Sequence, residues 1–108
     1  MSLPSYDEIA DRLGLAKPIV WDRDKRTTRS GIRKMLMAAY IERHYKDPPW
    51  YRLWMQTMWV RAELKELGIA IPADLWDEDK ARLAAKIAAT TDVRYPEEKE
   101  RALRWARR

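Results

Sequence analysis

"RSGIRKMLMAAYIERHY", residues Arg29 to Tyr45, decides the fold. It reads as a helix that opens on a lone arginine and carries tyrosines at Tyr40 and Tyr45. Thr27 or Thr28 can cap its start, and "KDPPW" stops it because proline forbids helical geometry at the residue before it. On the C-terminal side, Pro49 suits the first turn of a helix over Trp50 to Leu67, which Gly68 ends. Leu53, Thr57, Val60, Leu64 and Leu67 recur at helical spacing, and Trp50, Trp54, Met58 and Ala62 form a second row beside them. So wide an apolar surface predicts a central helix with more than one neighbour.

The rest of the chain follows the same grammar. "SYDEIADRLG" is a short first helix, with Ser5 as its cap, Asp7 and Glu8 in its first turn and Gly14 at its end. Pro18 marks a bend or extended piece in "LAKPIVWDRDKR". A fourth helix is predicted from about Ala73 to Ala89, with Trp76, Leu83 and Ile87 on one side. A last one runs over Glu97 to Arg107 after Pro96, acidic at its start and basic at its end. With β-branched alternation nearly absent, the class is all-α: a small bundle of four to five helices with no barrel domain. The 108 residues make one helical domain, with an N-terminal helix and arm (1–27), central helices (28–89) and a C-terminal helix (90–108).

Composition narrows the function classes. Hydrophobic residues at 46% and charged residues at 36% describe a folded chain rather than a disordered one. No apolar run approaches the ~20 residues of a membrane helix, and "MSLPSYDEIADRLG" has acids where a signal peptide is apolar. The expected location is therefore cytoplasmic. The absence of cysteine removes disulfides, thiolate metal ligands and a cysteine nucleophile. The net charge of +5 invites a search for nucleic acid, but basic "RDKRTTR" and "RALRWARR" alternate with acidic "DLWDED" and "PEEKE", as on a solvated surface. Six tryptophans without one phenylalanine are the odder fact, since indoles gather where proteins meet.

No catalytic constellation stands out. His44 is the sole histidine, expected as an exposed helix-end residue, and the carboxylates of "PEEKE" and "WDED" read as solvated. One alternative is a helix-turn-helix DNA-binding protein. Ile9, Ala10, Leu13, Gly14, Leu15 and Val20 give its core pattern, and "WDRDKRTTR" its phosphate contacts. Against it stand the missing supporting helix and Asp22 and Asp24 facing the phosphates. A further alternative is a phage or plasmid accessory interaction module.

The opening stretch also resembles the helical N-terminal region of nitrile hydratase β subunits. Its R-x-x-I-x-x-M-x-x-x-x-Y-L pattern is met by Arg29, Ile32, Met35, Tyr40 and Ile41. "PWYRLWMQT" is similar to the family's P-Y-Y-x-x-W-[IL] segment at Pro49, Tyr51, Trp54 and Met55, with Trp50 in place of the first tyrosine. "LGIAIPADL" is similar to its E-K-G-[IV]-L-T-x-x-E-L turn at Gly68, Ile69, Asp74 and Leu75, and "KPIVWDRDKR" to its E-P-V-F-x-x-x-W-E-x-R segment. The glycine-rich arm, the long helix before the arginine and the C-terminal SH3-like barrel have no counterpart. The resemblance therefore implies a short or split β-type subunit, like those of the three-subunit thiocyanate hydrolase relatives.

The family hydrates R–C≡N to an amide on cobalt or iron held by the cysteine cluster of a separate α subunit. The resemblance implies no cofactor on this chain, Arg29 as the arginine that holds the oxidised cysteines, and Trp50, Tyr51 and Trp54 as substrate-pocket wall. It further implies two partners: a cysteine-bearing α subunit and a second β-type chain with the missing barrel and its arginine. Arginine suits the role because its planar fork donates two parallel hydrogen bonds and keeps its charge when desolvated. The plainer account leaves Arg29 as a solvated first-turn residue and Tyr40, Trp50, Trp54 and Met58 as core.

Overall fold

The computed structural model describes residues 4–13, 29–66, 68, 70 and 73–108. Five α-helices follow in order: α1 (Tyr6–Leu13), α2 (Arg29–Tyr45), α3 (Trp50–Glu66), α4 (Asp77–Ala89) and α5 (Pro96–Ala106). A 3₁₀ turn, Ala73–Trp76, leads into α4. Among the described residues there is no strand, so the all-α class holds.

The punctuation works as local chemistry dictates. The Ser5 hydroxyl accepts the Glu8 N–H at 3.2 Å and caps α1. The Pro49 carbonyl accepts the Arg52 and Leu53 N–H groups, so this proline stands just ahead of α3. Gly68, at φ +70°, closes α3 by donating to the Lys65 carbonyl, a left-handed position that costs glycine little. The Thr27 and Thr28 caps, the Gly14 terminus and Leu67 lie outside the described residues.

Helix α3 is the hub. Its first row, Leu53, Thr57, Val60 and Leu64, is wholly buried. Around it pack Leu36, Ala39 and Tyr40 of α2, Leu83 and Ile87 of α4, and Ala102 and Trp105 of α5, with Ile9, Ala10 and Leu13 of α1 closing the far side. Each large apolar side chain buried this way contributes about 1.5–3 kcal/mol. Trp50, Trp54, Trp76 and Trp105 are buried and Trp59 packs half-exposed against the same core; Trp21 lies outside the described residues.

Thr57 is one anomaly in that core, because its hydroxyl oxygen, like Nε1 of Trp50, has no hydrogen-bond partner among the described residues. An unpaired hydroxyl sealed from water costs about 1–3 kcal/mol. Thr57→Val keeps the shape and removes that cost, so its urea midpoint is expected to rise by the equivalent of about 1 kcal/mol; a lower midpoint refutes the account.

Candidate functional site

An aromatic hollow and a buried polar cluster lie on either side of the α2–α3 turn. The hollow, about 510 Å³, is formed by Trp50, Tyr51, Trp54 and Met55 of α3 together with Tyr95 and Glu98 from the start of α5. Helical geometry explains half of it. Trp50, Tyr51, Trp54 and Met55 are i, i+1, i+4 and i+5 on one side of the first turns. The other half is tertiary, since Trp54 Nε1 donates to Glu98 Oε2 at 3.0 Å and draws α5 against α3. That bond, with one from Arg101, holds the Glu98 carboxyl below its ordinary pKa.

The rim is strained as well as aromatic. Tyr95 sits at φ 57°, a left-handed conformation that costs an L-residue about 1–2 kcal/mol. Pro96 follows as the first residue of α5, and the Tyr95 ring lies 6.0 Å from that of Tyr51. Met55 and Tyr95 remain 65% and 53% exposed, so the hollow opens onto an apolar surface.

The three expected substrate-pocket residues, Trp50, Tyr51 and Trp54, thus meet in one place. Arg29 does not join them. The described structure fixes its backbone as the first residue of α2, while its side chain lies outside the described residues. Glu42, which pairs with Arg52 in the first turns of α3, is about 20 Å further along α2. Within one chain, the arginine and the indoles stand at opposite ends of α2.

The second cluster corrects two expectations. His44 is not an exposed helix-end residue: its side chain is only 10% exposed and stacks on Tyr40 at 4.2 Å between ring centroids. Nor is "WDED" uniformly solvated. Asp79 is 2% exposed, with Oδ2 3.6 Å from Nε of Arg43, itself 1% exposed, and Oδ1 3.3 Å from His44 Nε2. The Arg43 guanidinium lies over Trp76 at 5.6 Å and Tyr40 at 6.0 Å, and Arg82 donates to the Arg43 carbonyl. Sequence spacing held the signal. Asp79, Leu83 and Ile87 share one stripe of α4 that Trp76 begins at its N-cap, as Leu36, Tyr40 and Arg43 share one of α2.

Burial, reinforced by the guanidinium charges of Arg43, Arg82 and Arg12, holds His44 down to about 4, while burial raises Asp79 against the pull of Arg43 and Arg82. The cluster is therefore a neutral imidazole beside an inter-helix ion pair. Among the described residues, no group of three or more His, Asp or Glu stands ready to hold a metal ion, and no helix is long and apolar enough to cross a membrane. The helix-turn-helix pattern lies largely outside the described residues, apart from Ile9, Ala10 and Leu13, which are core.

Two measurements test the cluster. Because the folded His44 pKa lies below its unfolded value, the unfolded chain takes up more protons between about pH 6.5 and pH 4. Stability is then full above that window and falls as pH drops through it, while raised Asp79 works in the opposite sense at its acid end. The denaturation midpoint of the wild type is expected to decline from about pH 6.5 to 5 and that of His44→Gln to stay level; equal slopes refute the assignment. Asp79→Leu leaves a buried guanidinium without its counter-charge and is expected to cost about 3–5 kcal/mol, most of it recovered by Arg43→Met in the same chain. A double variant as unstable as the single one would show the pair is not coupled.

No family model, curated protein or solved structure matches this chain, which leaves the chemistry of these residues as the guide to its role.

Proposed function

We propose that the chain is a small β-type subunit of a nitrile hydratase-like complex in the cytoplasm. It offers an aromatic pocket wall, and an arginine, to a metal site that a separate cysteine-bearing α subunit holds, for hydration of a nitrile to an amide. The observation that carries the reading is the meeting of Trp50, Tyr51 and Trp54 in one open hollow, with Met55 and Tyr95 exposed at its rim. Three motif-matched segments in order and an exposed apolar edge suit a wall that another chain completes.

With no cysteine, this chain has no thiolate to offer cobalt or iron, so the metal and its Lewis-acid chemistry belong to the α subunit. A second β-type chain supplies the barrel and its arginine. What this chain does is exclude water and orient the substrate. Tyr51, Met55 and Tyr95 present the accessible surface to an R group, and Trp50 and Trp54, 3% and 4% exposed, back that wall from the core. Trp50, where the family pattern has a tyrosine, gives a larger apolar wall and no hydroxyl. Arg29, about 20 Å along α2 from Glu42, serves the same metal site only if the α subunit reaches it from the other end of that helix.

Co-expression with the two partner subunits is expected to give one hetero-oligomer containing cobalt or iron. A chain that elutes alone, away from the metal, refutes the reading. Arg29→Lys is expected to lower nitrile turnover by about 10–100-fold with assembly intact, the usual effect of losing a group that holds metal ligands in place. Unchanged turnover would remove Arg29 from the site and leave the aromatic wall as the chain's contribution.

A further inference from the structure

The charge in the aromatic hollow comes from Glu98. Its wall holds four aromatic rings, the Met55 thioether and that carboxylate, and among the described residues no lysine or arginine lines it. Trp54 Nε1 donates to Oε2 of Glu98 and Arg101 to Oε1, and these two bonds keep the carboxyl ionised. Arg101 itself borders a neighbouring hollow and not this one. A carboxylate has about four acceptor sites, so some of this one's capacity stays open to a ligand. The Glu98 side chain is 44% exposed, which leaves that capacity within reach. At about 510 Å³ the hollow also has the size of a small-molecule site, about 300–1,000 Å³.

Three of the four rings already serve as cation platforms. The Arg94 guanidinium lies 5.6 Å from the Tyr51 ring and 5.8 Å from that of Tyr95, and Lys99 Nζ lies 5.6 Å from Trp50. Asp92 tethers both cations, Arg94 through its carboxylate and Lys99 through its backbone carbonyl, and neither cation lines the hollow. The charge of Glu98 then sorts the ligands. A neutral molecule that covers it strips water from an ionised group and returns nothing, and an anion is repelled. An ammonium ion on an apolar group meets both demands. Its N–H groups replace water on the carboxylate, and its carbon rests on Tyr51, Met55 and Tyr95, with Trp50 and Trp54 behind them. The net charge of +5 opposes a cation, so such a preference is local to the hollow.

We propose that this hollow binds a small organic ammonium ion that carries an aryl or alkyl group. Its nitrogen lies against Glu98 and its carbon against Tyr51 and Tyr95. Arg94 opposes it, because it sets a like charge near the same two rings. The proposal rests on the subunit reading only in taking the hollow as a ligand site. In that complex the ammonium group belongs to the R group of the nitrile.

The test is calorimetric titration of the full chain with benzylammonium, benzyl alcohol and benzoate, which share a shape and differ in charge. Benzylammonium is expected to bind at least about tenfold more tightly than benzyl alcohol, with benzoate the weakest. Glu98→Gln keeps an acceptor for Trp54 Nε1 and removes the charge, so it is expected to bring the amine within about twofold of the alcohol. Arg94→Gln is expected to tighten benzylammonium and leave benzyl alcohol unchanged. Indole N–H resonances locate the ligand: that of Trp54 is expected to shift at saturation and that of Trp76 to stay. No binding at about 10 mM, equal affinity for amine and alcohol, an undiminished preference in Glu98→Gln, or a shift at Trp76 without one at Trp54 overturns the proposal. Amine binding without co-purification of an α subunit would sink only the nitrile hydratase reading. Co-purification with nitrile turnover but no preference for the amine would sink only this one.

Discussion

The contact between Arg43 and Asp79 is the constraint on which the arrangement turns. It joins the last turn of α2 to the first of α4 with both charges almost sealed from water. Such a pair contributes little net stability, because desolvating two ions consumes most of their attraction. Its influence lies in what it forbids. Any slip of α2 along α4 leaves a buried guanidinium facing indole and phenol without a carboxylate, a far costlier state than the paired one. Arg82, donating to the Arg43 carbonyl, fixes the same crossing from the other side and places a cation at the carbonyl end of α2, where the macrodipole favours it.

Everything around the hollow inherits that register. Lys86 of α4 bonds to the Asp47 carboxylate at 2.6 Å and to the Pro48 carbonyl, so α4 also holds the turn between α2 and α3. The first turn of α3 leaves that turn in a set direction, and Trp50, Tyr51 and Trp54 go with it. The bond from Trp54 to Glu98 then fixes α5, and the left-handed Tyr95 lets the chain enter that helix with its ring against Tyr51. A strained non-glycine residue persists where its surroundings determine it, and here those surroundings are Tyr51 and the Arg94 guanidinium 5.8 Å from its ring.

Helix number and core faces were legible because they are local. The row Leu53, Thr57, Val60, Leu64 and the set Trp76, Leu83, Ile87 are buried as their spacing required. His44 and Asp79 were misjudged for a physical reason. Alone on its helix each is a polar residue that water would satisfy, and only the crossing of α2 with α4 gives them one another. Asp79 nonetheless fell on the stripe of Leu83 and Ile87, and a charge on a core stripe is a reason to seek its partner on another helix. Trp50, Tyr51 and Trp54 were legible as neighbours on one turn; Tyr95 and Glu98, more than 40 residues away in sequence, were not. Arg29 and the indoles belong to one motif series, and the 17-residue helix that Arg29 opens separates its own ends by about 24 Å.

Some of the positive charge that is dispersed in the sequence gathers in the fold, where Arg61 and Lys80 lie over the Trp105 ring. Helix α5 begins with Glu97 and Glu98 and ends with Arg104, followed by Arg107 and Arg108, the order its own macrodipole prefers. Because Trp54 meets Glu98 near the start of α5 and Arg61 meets Trp105 near its end, α5 lies in the same sense as α3. The acidic start of α5 thereby falls at the aromatic hollow and its basic end beside Arg61. Lys80, brought in by α4, falls there too because Arg43 and Asp79 fix where α4 begins. A preference that operates within single helices thus becomes a polarity about 22 Å long on the surface of the bundle, aromatic and acidic at one end and cationic at the other.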